Sequence, residues 1–151
     1  MNSNDAKIAD LYTTGTGGLV EDDAPNAGPP STAAFDLILQ AEAGGTIGNS
    51  GATYTLSITA VNENTGGAVP GLNPTGAPFA ESWNSTFGWG ASASDFVKTQ
   101  DPTANTGTKG IVRYAIAIPA GTTGRFHYNA ELLASNFQVV SFAQSNTFVL
   151  V

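Results

Sequence analysis

The sequence predicts an all-β protein, a single sandwich of about seven or eight antiparallel strands with an extended arm at its N-terminus. Three observations predict it. First, residues 110–151 alternate with period two: Val112, Tyr114, Ile116 and Ile118, then a Gly- and Pro-containing break at 119–124, then Phe126, Tyr128, Ala130 and Leu132. Second, residues 52–62 place Tyr54, Leu56, Ile58 and Ala60 against Thr53, Thr55, Ser57 and Thr59. Alternation of this kind marks a strand with one face in a core and the other in solvent. Third, helical periodicity is absent, and turn residues recur at roughly the 8–12-residue spacing of sandwiches and barrels.

The elements follow in order. Residues 1–34 read as an arm. They carry Asp5, Asp10, Glu21, Asp22 and Asp23 against Lys7 alone, together with the apolar residues Ile8, Leu11, Tyr12, Leu19 and Val20. Those apolar residues need burial somewhere. Either the arm docks as a short edge strand, or it crosses to a neighbouring subunit. The sandwich spans residues 35–151. Its first strand, over 33–42, turns Phe35, Leu37, Leu39 and Ala41 inward and Asp36, Gln40 and Glu42 outward, with Ile38 breaking the polar face. The strand at 52–62 follows, then a Gly/Pro/Asn-rich stretch over 63–80.

Residues 81–87 predict a strand with Trp83, Ser85 and Phe87 on one face, and a short strand is expected near 95–99. The alternating runs either side of the 119–124 break predict paired strands. Two more strands follow, at 137–142 and 147–151. The last is apolar on nearly both faces, with Phe148 and Leu150 opposite Val149 and Val151. It therefore has to lie centrally or be covered by another subunit.

Composition narrows the function classes. The chain has 151 residues, enough for one domain with a sizeable core. Charged residues make up 11% of it, against roughly 25% in an average domain. Five basic residues against twelve acidic ones give a net charge of −7. That excludes the dense basic surface nucleic acid requires, and it disfavours anionic membrane surfaces. The absence of cysteine removes disulfides, thiolate catalysis and Cys-based metal sites. No apolar run approaches the ~18 residues that cross a bilayer, and residues 1–18 do not read as a signal peptide. The expected setting is a virion or an extracellular assembly.

Nothing in the sequence names a reaction. His127 is the only histidine, on the strand face opposite Phe126 and Tyr128, with no Gly-x-Ser-x-Gly elbow elsewhere. Glu21-Asp22-Asp23, Asp95 and Asp101 offer oxygen ligands but no calcium-loop spacing. Glu42, Glu63, Glu81 and Glu131 leave paired-carboxylate sugar hydrolysis only formally open. The Gly-rich stretches 15–18 and 121–124 lack the helix and Lys of a phosphate loop. The expectation is a non-enzyme with no catalytic residue, no cofactor and no metal, calcium being the one weak candidate. Phe79, Trp83, Phe87 and Trp89 form an aromatic cluster that either fills the core or presents Trp83 and Trp89 for stacking on sugar rings.

This pattern is similar to the immunoglobulin-like or jelly-roll sandwiches found in virion proteins, surface-layer proteins and extracellular modules. The resemblance implies a structural or assembly role. The leading expectation is a subunit that forms or decorates a homo-oligomeric shell, virion or filament, with itself and possibly other shell proteins as partners. Its contacts would come from Ile8, Leu11, Tyr12, Leu19 and Val20 in the arm and from Phe148 and Leu150 in the last strand. The alternative is a carbohydrate-binding or adhesive extracellular module using Trp83 and Trp89.

Overall fold

A computed structural model describes residues 6–44, 50–82, 97–100, 108–135 and 139–151. The described strands are β1 (Ala6–Thr14), β2 (Ala34–Ala43), β3 (Thr53–Asn62), β4 (Phe79–Ser82), β5 (Val97–Gln100), β6 (Thr108–Ala117), β7 (Gly124–Ala134), β8 (Val139–Gln144) and β9 (Phe148–Leu150), with a 3-10 turn at Pro70–Leu72. They form two antiparallel sheets. The first runs β1-β2-β6-β5. The second runs β4-β3-β7-β8, with β9 also paired to β7. The protein is thus the expected all-β sandwich. Its strand order is that of an immunoglobulin-type sandwich with one extra strand beside the third, which separates it from a jelly roll.

The core is the sum of the inward positions read from the alternation. Phe35, Leu37 and Leu39 of β2 and Val112 and Ile116 of β6 meet Leu56 and Ile58 of β3 and Phe126, Tyr128 and Leu132 of β7, all buried. Phe148 sits at the aromatic centre. Its ring lies 5.3 Å from Phe35, 5.4 Å from Tyr128 and 5.9 Å from Phe126, measured between centroids. Tyr128 is tolerated there because its hydroxyl donates to the Leu72 carbonyl at 2.7 Å. Burial pushes that phenol far above its ordinary pKa.

One sequence expectation is corrected. The alternating runs flanking residues 119–124 are not partners: β6 pairs with β2 and β7 pairs with β3, in opposite sheets. The Ile118 N–H still extends the β2–β6 ladder, donating to the Ala33 carbonyl at 2.9 Å. Pro119 then has no N–H to continue it. The chain turns through Pro119–Thr122, closed by a 3.1 Å hydrogen bond, and enters the other sheet. Two strands with apolar inner faces can bury them by facing each other across a core as well as by lying side by side, so alternation alone does not choose. The strand expected over 81–87 is described only in its first two residues, which end β4 at Phe79–Ser82, and 83–87 lie outside the described residues. The short strand expected near 95–99 is described as β5 at Val97–Gln100.

The end of the chain is one strand with a kink. β8 and β9 lie on the same side of β7, with Gln144 opposite Asn129 and Phe148 opposite Phe126. Between them, Ser145 N–H donates to the Tyr128 carbonyl and Ser145 Oγ accepts from Tyr128 N–H, each at 2.8 Å. Asn146 and Thr147 therefore stand together opposite His127. Two residues against one is a β-bulge, which re-aims side chains locally.

Candidate contact surfaces

Part of the outer face of the first sheet, around Asp36 and Ile38, is covered by its own chain, while Asp10, Ala115 and Ala117 on the same face stay exposed. Residues 15–33 form a strap that leaves β1, and its first residues fold back over that part of the face. Gly17, at φ 75°, adopts a left-handed conformation that favours glycine, and its N–H reaches Asp36 Oδ2 at 2.7 Å. The same oxygen accepts from Arg113 Nη1 at 2.9 Å. Asp36 sits on β2, whose alternation turns it outward, yet it is buried. Two donors make that burial tolerable, because a carboxylate away from water needs paired charge and hydrogen bonds. Ile38, the residue that broke the polar face of β2, is buried there too, in register between Tyr12 and Arg113.

From there the strap passes around the edge of the sandwich. Asp22 N–H donates to the Thr13 carbonyl at 2.8 Å, and Thr13 Oγ1 donates to the Asp22 carbonyl at 2.7 Å. The bulge in the last strand has turned Asn146 toward this point. Its Oδ1 accepts from Thr13 N–H at 3.0 Å, and its Nδ2 donates to Thr13 Oγ1 and Asp23 Oδ1, both at 2.9 Å. Beyond it, the Asp23 carbonyl accepts from Val149 N–H at 2.7 Å. Asn26, only 2% exposed, completes the seam. Its Oδ1 accepts from Val151 N–H at 3.1 Å, and its Nδ2 donates to the Val151 carbonyl at 3.0 Å. The free edge of β9 is thereby closed by the arm of the same chain, as an added strand would close it.

These contacts place the residues that sequence reasoning grouped as an interface. Ile8 and Leu11 lie in the core, on an edge strand paired with β2 from Ala6↔Ala43 to Thr14↔Asp36. β1 runs beside β8, where Ile8 N–H donates to Ser141 Oγ at 2.9 Å. Phe148 and Leu150 are buried in the same core. Their own chain accounts for the apolarity of these four. Tyr12 is half-buried, and its hydroxyl donates to the Leu19 carbonyl at 3.4 Å. Leu19 and Val20 alone project into solvent, 78% and 80% exposed. Trp83 and Trp89, with Phe87, Asp95 and Asp101, lie outside the described residues.

Among the described residues the chemically capable groups lie in separate places. His127 Nδ1 lies 3.1 Å from Glu63 Oε1, and the Thr147 hydroxyl donates to the same oxygen at 2.6 Å. The Thr147 hydrogen bond, then His127, hold the Glu63 carboxyl below the usual carboxylate range. An open concavity of about 280 Å3 between β1, β2 and the strap is lined by Asp10, Tyr12, Glu21 and Gln40. Among the described residues no three His, Cys, Asp or Glu side chains are grouped to hold a metal ion, and no helix is long and apolar enough to cross a membrane.

The outer face of the second sheet carries large exposed apolar side chains. Across β3, β7 and β8 it presents the rows Ser57–Glu131–Phe142 and Thr59–Asn129–Gln144. Phe142 is 55% and Val140 43% exposed. Sequence reasoning missed Phe142, because it read residues 137–142 as one apolar run and did not assign a face to each residue. It also missed Asn26 and Asn146, whose roles depend on partners about 125 residues away.

No protein-family description and no curated protein matches this sequence. Among solved structures, the chain is similar to a family 123 glycoside hydrolase from Clostridium perfringens, described for glycolipid glycan hydrolysis. The two are 14% identical over 78% of this chain, with a TM-score of 0.38. This chain spans about a fifth of that protein, 21% of its length.

Proposed function

We propose that this chain is a non-catalytic β-sandwich subunit that associates with copies of itself in a homo-oligomeric assembly, a shell or filament being the expected forms. The observation that carries the reading is the Leu19–Val20 pair. Two large apolar side chains stand in solvent on a strap anchored on both sides, by Gly17 to Asp36 and by Asp22 to Thr13. Isolated exposed apolar residues are common on soluble proteins. A pair held out by a pinned backbone is pre-ordered for contact, and pre-ordering lowers the entropic cost of association.

The polar side chains favour the same reading. Asp36, Arg113, Asn26, Asn146, Glu63 and His127 are engaged in holding the chain to itself. The test is the double variant Leu19→Ser/Val20→Ser. Light scattering is expected to show a smaller particle than the wild type, with an unchanged melting temperature. A particle of unchanged mass would remove the strap from the assembly.

A further inference from the structure

The strap is held to the sandwich mainly by hydrogen bonds. Of residues 15–33, Pro25 and Asn26 are the buried ones, and the two large apolar side chains, Leu19 and Val20, face solvent. The strands at its two ends are fixed differently. Thr14 of β1 lies in register with Asp36 and Ala34 of β2 with Ala117, and Leu11, Phe35, Leu37 and Leu39 of these strands are in the core. Segments with few buried apolar contacts open at a small fraction of the global unfolding free energy. The strap is therefore a loop that leaves the surface without unpairing either ladder.

The second half of the strap is tied to itself. Thr32 N–H donates to the Asn26 carbonyl at 2.9 Å, and Asn26 Nδ2 donates to the Thr32 carbonyl at 3.3 Å. Ala27 N–H donates to the Ala24 carbonyl, and Ala24 N–H to Asp22 Oδ1, each at 2.9 Å. None of these bonds depends on the sandwich. The bonds that hold this half down run from Asp22 to Thr13, from Asp23 to Asn146 and Val149, and from Asn26 to Val151. The exposed residues 19–21 separate it from Gly17, whose N–H is held by Asp36. We infer that residues 22–32 form a latch over the outer edge of β9, which releases as one unit while the sandwich stays folded and Gly17 stays on Asp36. The inference is independent of the assembly reading above.

What the latch covers is backbone. Closed, it fills the Val149 N–H, the Val151 N–H and the Val151 carbonyl, which point away from β7. The Asn26 side-chain amide meets Val151 with one acceptor and one donor, as a peptide group of a neighbouring strand would. Released, the latch leaves β9 with the unpaired groups of a sheet edge, to which an extended chain adds through main-chain hydrogen bonds. The latch thus imitates the strand it keeps out, and its opening equilibrium sets how much of the time this edge is available.

The test is native-state hydrogen exchange, followed by NMR across low urea concentrations. In the wild type, the amides of Asp22, Val149 and Val151 are expected to share one exchange free energy and one weak urea dependence. Amides of the β3–β7 ladder should exchange at least roughly a hundredfold more slowly, with a steep dependence. Two variants then perturb the latch from opposite ends. Asn26→Ala removes the contacts with Val151, and the isosteric Thr13→Val removes the hydroxyl that donates to the Asp22 carbonyl. Asn26→Ala is expected to speed exchange at the distant Asp22 by about tenfold, and Thr13→Val to do the same at Val151, with Val149 following in both. Gly17, which opens separately, keeps its wild-type rate. Acceleration confined to the substituted end would overturn the latch as a unit, and equal acceleration at Gly17 would overturn its boundary. Latch amides that match the ladder amides in rate and urea dependence would overturn the proposal outright, because the strap would then open only with the whole protein.

Discussion

The two outer faces of this sandwich solve the same problem in opposite ways. On the first sheet the strap covers the stretch around Asp36, whose outward carboxylate is buried with Arg113 and the Gly17 N–H. The second sheet keeps its outward Phe142 and Val140 in solvent, with Glu131 in register beside Phe142. On one face a buried carboxylate is held by the chain's own strap and a neighbouring guanidinium, whereas on the other large apolar side chains stand in solvent.

The sharpest way to break the contrast is at its buried charge. Arg113→Ala leaves the Asp36 carboxylate buried with one donor fewer, and is expected to cost about 3 kcal/mol. Glu131→Ala on the open face is expected to stay within about 0.5 kcal/mol. Urea unfolding of the two variants measures the difference directly, and equal costs would refute the covered-versus-open distinction. Asn146→Ala comes next. It removes three hydrogen bonds where β1, the strap and the last strand meet, with an expected loss of roughly 1–3 kcal/mol.

Asn26→Ala is a more local change. Global stability should fall less than for Asn146→Ala, but hydrogen exchange at Val151, and at Val149 beside it, is expected to accelerate as the strap lifts from the β9 edge. Unchanged exchange would mean that Asn26 does not hold that edge. The smallest effect belongs to Glu63. Its folded pKa lies below the ordinary carboxylate range, so its contribution to stability is present at neutral pH and is lost as pH falls through that lowered value. Melting temperature against pH should therefore drop less steeply below the carboxylate range in Thr147→Val than in the wild type, since the Thr147 hydroxyl is the largest cause of the depression.

Much of the fold was legible because period two is enforced residue by residue. Phe35, Leu37 and Leu39, Leu56 and Ile58, Val112 and Ile116, and Phe126 and Tyr128 are all buried where alternation placed them. Strand pairing was not legible in the same way. β6 and β7 look like neighbours because only a short break separates them, and the partner that each pairs with, β2 or β3, is fixed by long-range packing. Contact residues were harder still. Ile8, Leu11, Phe148 and Leu150 are apolar because they fill their own core, and sequence cannot distinguish that need from the need for a neighbour. Asn26 and Asn146 look like ordinary loop residues until the bulge opposite His127 and the course of the strap bring them to their partners.

The central claim is that this chain associates with itself, and the native mass tests it most directly. Light scattering on the wild-type protein, taken across concentration in moderate salt, is expected to give a multiple of the 15.4 kDa chain mass that grows with concentration. A constant mass of 15.4 kDa up to millimolar concentration would contradict the account.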